Sequence, residues 1–79
     1  MAAYELWEMR SGNLVGSFPT KDAALAMVIN TLRLYGPSST DSIALTREIG
    51  EESETIAEGA GLADLALQAF PDRRIPHTA

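Results

Sequence analysis

Leu25, Val28, Ile29 and Leu32 recur at the spacing of one α-helical face, and Pro19–Thr20 and Gly36–Pro37 fence the stretch that holds them. This pattern predicts an amphipathic helix over residues 21–35. Thr20 is the expected N-cap, its hydroxyl accepting from an orphan amide of the first turn, with Asp22 favouring the positive end of the dipole. Gly36 is expected to cap the other end in a left-handed conformation, and Pro37 cannot continue the helix. One 15-residue helix with a single oily stripe needs an apolar surface to lie on, and the remaining segments must supply it.

Those segments read as strands. Residues 4–10 alternate, with Tyr4, Leu6 and Glu8 on one face and Glu5, Trp7 and Met9 on the other. Residues 13–18 follow after Ser11 and Gly12, near enough to pair as a hairpin, with Leu14 and Phe18 expected on one side and Val15 on the other. After a loop at 38–41, residues 42–49 alternate Ile43, Leu45 and Ile49 with Ala44, Thr46 and Glu48. A turn at 50–53 and a return strand at 54–58, centred on Ile56, complete a second hairpin, which Gly59 and Gly61 are expected to break. Leu62, Leu65, Ala66 and Ala69, with Phe70 closing the stripe, then mark a helix over 60–70, ended by Pro71, and 71–79 reads as a flexible C-terminal tail. The expectation is an α+β domain over 1–70 of order ββαββα, two β-hairpins forming one antiparallel sheet with both helices packed on one face. Residues 4–35 and 42–70 echo each other as one unit used twice, although few residues are shared.

A chain of 79 residues holds one small core, and with no cysteine neither a disulfide nor a thiolate zinc site can reinforce it. Packing, or a second subunit, must suffice. The lack of cysteine suits a reducing compartment, and the first residues, including Tyr4, Glu5 and Trp7, lack the pattern of a secretory signal, so the cytoplasm is expected. No apolar run is long enough to span a membrane. With 6 basic against 11 acidic residues the net charge is −5, which argues against direct nucleic-acid binding.

Candidate chemistry is sparse. In "RSGNLVGSF" Gly12 and Gly16 enclose too few residues for a phosphate loop, no lysine follows, and the stretch joins two strands; it reads as a turn, with Gly16 a bulge or close-packing point. Glu48, Glu51, Glu52, Glu54 and Glu58 form the largest charge feature. They lack the spacing of a calcium loop, so a metal site ranks below a solvated hairpin tip, and an anionic surface for a basic partner lies between the two. His77, alone in the tail, suggests neither a metal site nor a nucleophile–histidine couple. Trp7 belongs to a first strand with large groups on both faces; it lies under a helix or, if the sheet is covered on one side only, marks a dimer surface.

The stretches "YELWEMRSGNLVGSFPTKDAALAMV" and "IAEGAGLADLA" resemble stretches of small bacterial proteins of uncharacterised function. The resemblance implies a compact bacterial domain and supplies no activity, ligand or site residue. The reading is therefore a non-enzymatic protein–protein interaction module, a homodimer or a partner of another protein, with no cofactor, no metal and no catalytic residue. Its candidate surface is Trp7, Glu48, Glu51, Glu52, Glu54 and Glu58. An acidic, antitoxin-like regulator that neutralises a basic partner is the alternative. A small-ligand binder or enzyme ranks last, because no nucleophile, base and orienter can be named together.

Overall fold

The computed structural model describes residues 2–70, so the expected tail at 71–79, His77 included, lies outside the described residues. The elements run β1 (Ala2–Glu8), β2 (Asn13–Phe18), α1 (Lys21–Tyr35), a short 3-10 turn (Pro37–Thr40), β3 (Ile43–Ile49), β4 (Glu52–Glu58) and α2 (Gly59–Ala69). All four strands join one antiparallel sheet in the order β2-β1-β3-β4. This is the ββαββα arrangement that the alternation of periods predicts.

The α1 stripe is buried as its spacing requires: Leu25, Val28, Ile29 and Leu32, joined by Ala24, are all at most 2% exposed. They meet Leu6 of β1, Leu45 of β3, and Leu62 and Ala66 of α2 in one cluster. Both helices therefore lie on the face that presents Leu6 and Leu45. Thr20 Oγ1 accepts from the Ala23 amide at 3.1 Å, as a cap should. Gly36 departs from the expected left-handed cap: its φ of 96° is positive but its ψ of 173° is extended, while its amide still donates to Leu32 O at 2.9 Å.

Other boundaries move for local reasons. β1 stops at Glu8, two residues early, because the Glu8 carbonyl accepts from Gly12 N and its carboxylate from Ser11 N, which closes the turn there. The expected loop at 38–41 is a 3-10 turn started by Pro37, with Thr40 buried in it. β4 ends at Glu58, directly before Gly59, as expected; Gly59 and Gly61 stand in the first turn of α2, which leaves β4 without a linker. In α2 Leu62 and Ala66 are buried and Leu65 and Phe70 pack on the core, as the stripe predicts, but Ala69 is exposed, and Ala63 and Leu67 pack on the core in addition.

β2 corrects a facing. The register between β1 and β2 slips between Leu6 and Trp7, leaving Val15 as the extra residue of a bulge. Leu14 thus pairs with Trp7 on the outer face, while Gly16 and Phe18 pair with Leu6 and Tyr4 on the helix face. Because one inserted residue inverts the parity of everything beyond it, Leu14 and Phe18 fall on opposite sides. Gly16 is the close-packing point: a Cβ there would stand 3.0 Å from the Phe18 ring.

The echo between the halves becomes an approximate two-fold axis. Leu6 and Leu45 are cross-strand partners, and each is followed by the register slip of its own hairpin, at Val15 and at Ile56. The first strand of each hairpin lies inside the sheet and the second outside. The α1 core positions Ala24, Leu25, Val28, Ile29 and Leu32 correspond to Leu62, Ala63, Ala66, Leu67 and Phe70 of α2, all five of them packed in or against the same core. One hairpin with one helix leaves an apolar face open, and the second copy of the unit closes it.

Candidate interaction surface

With both helices on one face, the other side of the sheet carries no second layer among the described residues. Alternation along β1 and β3 turns Glu5, Trp7, Ala44, Thr46 and Glu48 toward that side. Trp7 is half-buried and does not pack on the main core. Its cross-strand partners are Leu14 and Ala44. Ala44 is only 1% exposed yet stands outside the core cluster, as expected of a small residue lying beside an indole on the open face. Leu14 is 47% exposed, and Met9 and Val15 nearby are 57% and 46% exposed. Of the two places open to Trp7, the structure takes the outer one.

The five glutamates do not converge. Glu52 and Glu54 pair with Ile49 and Arg47 on the helix-side face, Glu48 and Glu58 stand on the open face, and Glu51 sits in the turn. Glu54 forms an ion pair with Arg47 across the two strands. Such half-exposed pairs contribute under about 1 kcal/mol. Among the described residues no group of three or more His, Cys, Asp or Glu side chains is placed to hold a metal ion.

Two open depressions flank the Arg47–Glu54 pair. One, of about 390 Å³, is lined by Arg47, Ile49, Glu52, Ser53 and Glu54; the other, of about 340 Å³, by Tyr4, Lys21, Arg47, Glu54, Thr55 and Ile56. Arg47 Nε is buried there without a hydrogen-bond partner among the described residues. In each depression the arginine already faces a carboxylate, and the remaining charge is a single side chain, Glu52 in the first and Lys21 in the second.

Glu8 is the polar side chain that sequence reasoning missed. One carboxylate oxygen accepts from Ser11 N at 2.8 Å and Ser11 Oγ at 2.9 Å; the other accepts from Ser42 Oγ at 2.5 Å, tying the first turn to the segment entering β3. These donors, Ser42 first, hold its pKa down at about 2, against an ordinary 4.5. A carboxylate so weakly basic is a poor proton acceptor at neutral pH, and its work is structural. The Glu8-to-Ser11 spacing was a visible turn signal, but the Ser42 contact joins residues far apart in sequence.

A pH dependence follows. The unfolded chain, with Glu8 near 4.5, binds the proton more readily than the folded chain, so stabilisation that is complete above pH 4.5 drains away as pH falls toward 2. Urea midpoints measured across that window are expected to fall more steeply for the native chain than for Glu8→Gln. Parallel curves would rule the linkage out.

No family model, curated protein or solved structure matches the chain, so the bacterial resemblance noted in the sequence gains no support from these comparisons. No helix among the described residues is long and apolar enough to cross a membrane.

Proposed function

We propose that this chain is a non-enzymatic protein-interaction module that works as a homodimer and has the open side of its sheet or the acidic β3–β4 hairpin as contact surface for another protein. One observation carries the reading: a four-stranded sheet covered, among the described residues, on one side only, with Trp7 half-buried and Leu14 47% exposed on the other side. Single exposed apolar residues are ordinary, but here they adjoin across paired strands. A 79-residue chain gains proportionally more than a large one from burying that surface against a second copy. Sedimentation equilibrium at micromolar concentration is expected to show a dimer, and a monomer throughout would remove the homodimer.

The charge distribution favours a second reading, an antitoxin-like regulator. Glu48, Glu51, Glu52, Glu54 and Glu58 all belong to one hairpin, in which Arg47 is the sole cation. A surface of that sign attracts a basic protein and speeds its docking. Binding of a small basic protein that weakens steeply with salt and with Glu51→Lys would favour it over the first reading.

A further inference from the structure

The two outer strands are equivalent under the internal two-fold, yet their chemistry differs. β4 carries Glu52, Glu54 and Glu58, the charged side chains by which sheet edges are kept from pairing with other chains. β2, "NLVGSF", carries no charge at all, and its bulge residue Val15 is 46% exposed where its counterpart Ile56 packs on the core. Both edges carry a bulge, and it is charge alone that sets them apart.

From this contrast we propose that a second copy of this chain pairs with the β2 edge, antiparallel and about a two-fold axis, to make one continuous eight-stranded sheet. The proposal rests on the homodimer reading above and names its surface. Charge selects both the partner and the edge. Each copy carries a net −5, so copies repel except where they meet through an uncharged strip. Strands in a sheet lie about 4.8 Å apart. Joining β2 to β2 therefore places the two β4 strands seven spacings apart, about 34 Å, several times the ~8 Å over which charges are felt at physiological salt. Joining β4 to β4 would set three glutamates from each copy at about one spacing. An antiparallel strand paired with itself is also self-complementary, as a two-fold interface requires, and Leu14 and Trp7 extend the contact from the edge onto the bare face.

The test is sedimentation equilibrium on the full chain and three variants, with circular dichroism to establish that each is folded. Val15→Lys and Leu14→Lys are expected to weaken dimerisation at least about tenfold, because the two-fold axis brings both new ammonium groups into one interface. Thr55→Lys, on the guarded edge, is expected to leave it unchanged; two β2 variants are used in case one does not fold. Hydrogen exchange should show β2 amides protected at high concentration and exchanging faster on dilution. A dimer indifferent to both β2 variants would overturn the edge while leaving the homodimer standing. A native chain that stays monomeric would overturn both, as would β2 amides protected only by a different protein.

Discussion

Leu45→Ala is expected to cost about 3–5 kcal/mol of folding stability, near the top of the range for a leucine truncated in a packed core. Leu45 is fully buried on inner strand β3, pairs with Leu6 on one side and Ala57 on the other, and stands beside the internal two-fold axis beneath both helices. The inner strands cannot close over the void without giving up their register, so the cavity persists. At roughly 0.05–0.15 kcal/mol per residue, a domain of this size has about 4–12 kcal/mol in all, and the variant loses a large part of it. Ile49→Ala, on the same face of the same strand but 46% exposed, is expected to cost under about 1 kcal/mol. Urea denaturation followed by the fluorescence of Trp7, the one tryptophan, measures both. Equal losses would mean that the core is not centred on Leu6 and Leu45.

What could be read from the sequence follows how local each signal is. The α1 stripe and Thr20 cap are written within a few helical turns, and α1 forms over the predicted residues. Strand existence was equally legible, because alternation of large and small side chains is a nearest-neighbour property. Strand order was not: β1 beside β3 depends on which hairpin faces must share a core, a property of the whole chain. The bulge at Val15 was likewise out of reach, since nothing in "NLVGSF" says that Leu6 will pair with Gly16 and Trp7 with Leu14. That slip decides which apolar residues reach the open face. Trp7 was legible as a two-sided problem, and only the placement of the helices against Leu6 and Leu45 resolved it. The glutamates were legible as a group by composition, whereas their division between two faces needed the β3–β4 register.

The second large effect contrasts two glycines that sequence reading took for one kind of breaker. Gly59 has a φ of 58°, and a Cβ built there would lie 3.2 Å from the Asp41 carbonyl oxygen. Gly59→Ala therefore places a side chain in the left-handed region, at about 1–2 kcal/mol, and presses it against backbone that cannot swing aside. A total loss of about 2–3 kcal/mol is expected. Gly61, two residues on in the same helix, has no positive φ, and nothing lies within 4 Å of its would-be Cβ. There alanine improves the helix and reduces the freedom of the unfolded chain, for a gain of roughly 0.5–1 kcal/mol. The same chemical change should thus move the urea midpoint down at one position and up at the other. The sharp conformation at Gly59 is what lets β4 pass directly into α2 and lay Leu62 on the core, so the loss there should appear as less protection of the α2 amides as well as a lower midpoint. If both substitutions stabilise the chain, the turn from β4 into α2 does not depend on a glycine.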